Sequence, residues 1–223
     1  MAFISIKQVS YTYNGRKKPA VKDVSLDIER GEKVAITGLN GSGKSTLAKL
    51  MLGLLKPQKG TVLLDGKPVQ KYSLPEVGEK IGYLLQNPSQ MLFNTTVYNE
   101  VAFGLKWRGK SRAEIHRICK GYLEHFDLWQ LRDAFPFNLS EGQKQLVALT
   151  AILALQPACL VLDEPTKSID VSRKKKLIEI LEDIWRQGTG IIVISHDVGF
   201  ITRFGGRRVH LVEGEVVDAA AGC

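Results

Sequence analysis

Residues 38–46, GLNGSGKST, concentrate the chain's chemistry for holding phosphate. Gly38, Gly43, Lys44 and Ser45 stand at the spacing G-x-x-x-x-G-K-[ST], the P-loop. Its glycines let consecutive backbone N–H groups turn inward around phosphate oxygens. A helix that follows points its positive end at the same oxygens. Lys44 can reach the β- and γ-phosphates of a nucleotide, and Ser45 can ligate Mg²⁺. Asn40, Gly41, Ser42, Gly43, Lys44, Ser45 and Thr46 form the expected nucleotide-binding run.

Two further elements lie downstream. CLVLDEP, residues 159–165, is an apolar stretch ending in acid. Asp163 is placed to hold the metal, directly or through a water, and Glu164 to orient or deprotonate an attacking water. ISHD ends the next apolar stretch, where His196 could reach the γ-phosphate. LSEGQKQ, residues 139–145, reads as a helix start built to hold negative charge. Ser140 is its N-cap, Gln143 completes a capping box, and Gly142 allows close approach to the backbone.

The elements that must position these groups alternate along the chain. KVAITG (33–38), KIGYLLQ (80–86), CLVLDEP and GIIVISHD (190–197) read as strands, and the last two lack alternation, as strands buried on both faces do. Helices between them, one expected from Lys44 to Leu55 before Pro57, imply a parallel, doubly wound sheet. FISIKQVSYTY, VKDVSLDI and the C-terminal RRVHLVEGEVV alternate instead, with turns at Asn14-Gly15 and Glu213-Gly214. An antiparallel sheet beside the main one is expected for them. Residues 88 to about 157 read as mainly helical, with a capping box at Ser111 and Glu114 and a core face of Ile115, Ile118, Tyr122, Leu123 and Phe126.

Composition is that of an ordinary globular chain: 223 residues, 44% apolar and 24% charged. The longest apolar run, Leu146 to Leu155, is far short of the roughly 20 residues that span a bilayer. The N-terminus reads as a strand rather than a signal peptide. Cys119, Cys159 and Cys223 have neither metal-site nor disulfide spacing, which suits a reducing, cytosolic setting. The net charge of +8 could serve nucleic acid or anionic lipid. However, Arg173 to Lys176 opens an amphipathic helix backed by Leu177, Ile180, Leu181 and Ile184, and no aromatic residues interleave with the basic ones.

The P-loop, LSEGQ, LVLDEP and SHD, in that order, resemble the nucleotide-binding subunit of ATP-binding-cassette (ABC) transporters over nearly the whole length. The resemblance implies the ABC ATPase fold, an α/β P-loop architecture. A mostly parallel sheet carries an N-terminal antiparallel β subdomain, with 1–87 and 158–223 as nucleotide-binding core and 88–157 as a helical subdomain. It implies ATP and Mg²⁺ as ligands, with Ser45, Gln86 and Asp163 at the metal. In such dimers ATP on one P-loop is covered by the other subunit's signature helix, so Ser140, Gly142 and Gln143 would face a partner's γ-phosphate. Tyr13 matches an aromatic that stacks on adenine, its alternative being a strand residue packed on the sheet. Gln86 matches a glutamine that contacts metal and water, and Asp170 an aspartate that crosses the dimer interface.

QNPSQMLFNTTVYNEVAFGL (86–105) looks like the ATPases of energy-coupling-factor (ECF) importers and their cobalt or nickel relatives. Asn87, Pro88, Gln90, Phe93, Val97, Glu100, Val101, Ala102, Phe103 and Gly104 carry that likeness. The physical reading is a nucleotide-sensing loop beside an exposed apolar patch of Met91, Leu92 and Phe93, which suits a docking transmembrane coupling subunit. The alternative is a local core cluster of the helical subdomain, which would explain some of these residues but not the polar Gln-Asn-Pro-Ser-Gln before them. A separate membrane subunit would select a vitamin or metal ion, and the chain would lie on the cytoplasmic face of the membrane. Three residues depart from the family: Glu141 for glycine, Leu146 for arginine and Lys167 for a small residue. Glu141 sets a carboxylate beside a phosphate, which weakens closure and favours a heterodimer over a homodimer. The chain ends soon after its last strand, as a short form or one half of a longer tandem would. The alternatives are an ABC-type ATPase acting on nucleic acid or the ribosome, and a nucleotide-gated subunit without turnover.

Overall fold

The computed structural model describes residues 2–167 and 171–218. Its strands are β1 (Ile4–Tyr11), β2 (Val21–Ile28), β3 (Lys33–Thr37), β4 (Lys59–Leu64), β5 (Lys67–Pro68), β6 (Ile81–Leu84), β7 (Cys159–Asp163), β8 (Gly190–Ile194), β9 (Arg207–Val212) and β10 (Glu215–Asp218). Its helices are α1 (Lys44–Met51), α2 (Leu74–Lys80), α3 (Val97–Trp107), α4 (Arg112–His125), α5 (Glu141–Leu153), α6 (Val171–Arg186) and α7 (Val198–Phe204).

A six-stranded sheet runs β10-β9-β3-β8-β7-β6, parallel from β9 to β6, with β10 antiparallel at one edge. Side chains on a strand alternate between faces, and along the inner strands β3, β8 and β7 both faces are covered. Leu160, Leu162, Ile191, Val193 and Ala35 join one core with α3 to α7. Cys159, Val161, Ile192, Ile194, Val34 and Ile36 join the other, with α1 and the second sheet. That explains the unbroken apolar runs, and full burial of each Val, Leu or Ile is worth about 1.5–3 kcal/mol. The second sheet, β2-β1-β4-β5, is antiparallel throughout.

Four readings of the sequence need correction or completion. The C-terminal strands belong to the main sheet: β9 runs parallel to β3, from Val34↔Arg207 to Thr37↔His210. Its alternation, with Val209 and Leu211 buried, reflects one open face rather than membership of the antiparallel sheet. α1 stops at Met51 instead of Leu55, because Gly53 takes φ 67° and turns the chain. Gly53 N–H donates to the Leu50 carbonyl at 3.1 Å and Leu54 N–H to that of Lys49 at 2.9 Å, closing the helix end. The hairpin β4–β5 and the helix α2 were not anticipated, although Ser73 and Glu76 form a capping box there. Finally, Leu92 is buried in the core and Met91 half-buried, so of that expected patch only Phe93 is open, at 63% exposure.

The capping box of α4 forms as expected, with Ile115, Leu123 and Phe126 buried and Ile118 and Tyr122 packed at the margin. Leu177, Ile180, Leu181 and Ile184 seat α6 on the same core. The basic residues there are partly ion-paired: Lys174 meets Asp197 at 2.5 Å, and Lys176 meets Asp127. Among the described residues, no helix is long and apolar enough to cross a membrane. Cys119 and Cys159 are free and buried, and burial pushes their thiols up to about 11 and about 12.

Candidate functional site

Strands β3, β7 and β8 deliver their C-terminal ends to one edge of the sheet, where open α/β folds bind ligands. The turn after β3 is cramped. At Gly38 (φ 141°) a Cβ would lie 2.3 Å from the Leu211 carbonyl oxygen, and at Gly43 (φ 104°) 2.1 Å from that of Ala20. Only glycine fits either position. The β9–β10 turn holds the loop from below, with Gly214 N–H donating to the Ser42 carbonyl at 3.0 Å. No side chain caps α1, so its positive end opens on the loop. Lys44 is buried, and its Nζ donates to the carbonyls of Gly38 at 2.8 Å and Leu39 at 2.9 Å. Burial lowers its pKa, opposed by the charges of Glu164 and Asp163.

A cleft of about 990 Å³ opens above this turn. Tyr13, Asn40, Gly41, Gly43, Lys44, Ser45, Thr46, Gln86 and Glu164 all line it. Tyr13 stands beyond the end of β1, edge-on to Tyr11, with its hydroxyl 3.3 Å from Thr46 Oγ1. It is therefore a rim residue and not a strand residue packed on the sheet. Gln86 is exposed, two residues past the end of β6. Ser42 is buried beneath the loop, and its Oγ has no partner.

Asp163 ends β7 and is buried. Tyr83 Oη donates to its Oδ2 at 3.2 Å, while Oδ1 is buried without a partner. Burial raises the Asp163 pKa, and the Ser45 and Tyr83 hydroxyls oppose the rise. An orphaned carboxylate oxygen beside a serine hydroxyl is a hard-oxygen donor set that fits Mg²⁺ or a water bound to it. Among the described residues, no three His, Cys, Asp or Glu gather into a metal cage. A metal here would take its remaining oxygens from phosphate and water.

Glu164 is the strained residue of the site, with φ 52° and little exposure. Its N–H donates to the Ile194 carbonyl at 2.8 Å, which locks the turn to β8. Its Oε1 lies 2.7 Å from His196 Nδ1, and its Oε2 accepts from Ser195 Oγ at 3.3 Å. A carboxylate only accepts, so Nδ1 carries the proton and Nε2 is left for another group. His196 thus reaches Glu164 directly, a partnership that the motif order did not foretell. Tyr83 and Ser195 were also missed, and the only hint was a hydroxyl inside an otherwise apolar run.

Ser140, Gly142 and Gln143 do not line the cleft. Their capping box is formed: Ser140 N–H donates to Gln143 Oε1 at 3.0 Å, and Gln143 N–H donates to Ser140 Oγ at 3.3 Å. Glu141 is drawn to Lys144 at 2.9 Å. Asp170 lies outside the described residues. In the 86–105 stretch, Val97, Val101 and Ala102 are core residues. Buried Glu100 accepts from the N–H groups of Phe93 (3.0 Å) and Asn94 (2.8 Å), so it shapes the loop. Phe93 and Phe103 meet edge-on at 4.8 Å, both exposed.

A P-loop between β3 and α1, faced by an acidic turn on the parallel strand β7, defines a P-loop nucleoside triphosphatase. The ABC transporter family model matches residues 21–167, and the chain belongs to that family, whose domain is an ATPase. It is 39% identical to a provisionally named ABC transporter ATP-binding protein of Pyrococcus furiosus, over 96% of this chain and 81% of that one. The energy-coupling factor transporter ATP-binding protein EcfA of Methanothermobacter thermautotrophicus is 38% identical, over 96% and 69%. Other relatives are longer: the chain spans 38% of a similarly named protein of Enterococcus faecalis. Among solved structures, cbiO1 from Clostridium perfringens, part of the ABC transporter complex cbiONQ, superposes with a TM-score of 0.89 at 31% identity, covering 99% of this chain and 88% of that one. A dimeric post-hydrolysis state of the ATP-binding cassette MJ0796, bound to ADP and Pi, gives 0.88 at 29% identity, covering 98% of each.

Proposed function

We propose that the chain is the ATP-hydrolysing subunit of an ECF-type importer. The observation that carries the reading is Glu164, just past the end of β7, which lines the cleft with Lys44 and Ser45 and is paired with His196 from beyond β8. The P-loop amides and Lys44 would hold the β- and γ-phosphates, with Tyr13 against the adenine. Ser45, Gln86 and Asp163 would hold Mg²⁺, which neutralises phosphate charge when bound. Glu164, aimed by Ser195 and His196, would orient the attacking water and take its proton. Its strained φ and low exposure keep the carboxylate fixed, so positioning and electrostatics supply most of the rate.

Ser140, Gly142 and Gln143, which do not line their own cleft, would cover a second cassette's γ-phosphate head to tail, with Asp170 at that interface. Glu141 beside that phosphate favours a heterodimer. The relatives EcfA and cbiO1 and the 86–105 sequence support the importer class, with a transmembrane coupling subunit docking near residues 86–105 and a substrate-binding membrane subunit beyond it. Those contacts would hold the chain on the cytoplasmic face of the membrane. Exposed Phe93, Phe103 and Trp107 are the apolar groups available to such a partner. The test is ATP turnover as a function of chain concentration, with and without a second cassette. Turnover per chain should rise with pairing. Full turnover from a dilute monomer, indifferent to any second copy, would refute the shared site.

A further inference from the structure

The peptide after Glu164 is held by a group that the motifs do not include. Pro165 has no N–H, and its carbonyl oxygen accepts from the side-chain amide of Gln145, a buried residue of α5. Gln145 lies two residues beyond Gln143, which closes the capping box at the N-terminus of the same helix. Glu164 is thereby fixed on three sides: its N–H by Ile194, its carboxylate by Ser195 and His196, and the following carbonyl by α5. We infer that Gln145 is a positioning residue for Glu164. It ties the turn that aims the carboxylate to the same N-terminal end of α5 that carries Ser140 and Gln143. A shift of α5 on closure would pull on Pro165 and so re-aim Glu164, linking one nucleotide site to the other within a single chain.

The inference rests on the proposed hydrolytic role of Glu164, and a double-mutant cycle separates the two. Full chains carrying Gln145→Leu, Glu164→Gln or both are assayed with ATP under the conditions that support wild-type turnover. Gln145→Leu should lower kcat by on the order of 10- to 100-fold, as misplacement by up to about 1 Å does, with KM for ATP unchanged. That loss should vanish in the Glu164→Gln background. Gln145→Glu provides an independent readout: its carboxylate repels the Pro165 carbonyl, whereas its protonated form can donate. Its kcat relative to wild type should therefore recover as the pH falls. An unchanged kcat in Gln145→Leu, an equal loss in both backgrounds, or a flat pH ratio for Gln145→Glu would overturn the inference alone. Wild-type turnover by Glu164→Gln would overturn the role of Glu164 and the inference with it.

Discussion

At the residue scale, the proposed chemistry depends on Glu164 being held in a conformation that most residues avoid. A φ of 52° at a non-glycine residue persists only where the surroundings over-determine it. Here the Ile194 carbonyl, Ser195 and His196 do so. Substitution Glu164→Gln keeps the shape and most of the hydrogen bonding but removes the base. It should lower kcat by about 10²- to 10⁴-fold and leave ATP affinity intact. Single-turnover hydrolysis alongside a fluorescent-nucleotide titration measures both, and a parallel loss of binding would contradict the assignment. Lys44 bonds its own loop's carbonyls, a contact it would exchange for phosphate oxygens in the proposed nucleotide complex.

At the scale of the element, caps decide where the helices begin. Ser111 and Glu114 close the start of α4 with reciprocal bonds at 3.0 and 3.3 Å. The Ser111 hydroxyl and N–H, then Lys110, hold the Glu114 carboxyl down at about 2, against an ordinary 4.5. A pKa depressed on folding adds stability above the unfolded value, and that stability is lost as the pH falls toward the folded one. The stability advantage of wild type over Glu114→Ala should thus be constant above pH 4.5 and shrink between 4.5 and about 2. Urea unfolding of both chains across that range reads the difference, and an advantage that grows on acidification would contradict the capping assignment.

At the scale of the whole molecule, the two helix starts are separated, because α5 begins outside the cleft that α1 enters. In the proposed head-to-tail pair, one chain would supply two unlike halves of a site and complete neither alone. Glu141 adds charge to the α5 half, and its bond to Lys144 offsets part of it. Two unit charges about 4 Å apart in water interact by about 1 kcal/mol. Glu141→Gly, introduced into the Glu164→Gln chain, removes that contact at both sites of a head-to-tail pair and should accordingly tighten ATP-dependent self-association by up to about 30-fold. Sedimentation equilibrium with ATP checks this, and unchanged association would show that the carboxylate does not face phosphate.

The sequence by itself determined the chemistry whose residues are adjacent in the chain. The P-loop, the acidic turn and the capping boxes of α4 and α5 are local, set by glycine torsions, hydroxyl caps and the burial of uninterrupted apolar strands. Tertiary structure alone decided what depends on contacts across the chain. It seated the C-terminal hairpin beside β3, buried Leu92, moved Tyr13 to a rim and joined His196 to Glu164. Alternation shows that one strand face is open but not which sheet the strand joins, since pairing partners are chosen by the shared core. Hydrogen bonds such as Gln145 to Pro165 leave no local pattern, because a side-chain amide serves equally well on a surface or in a core until packing removes the water.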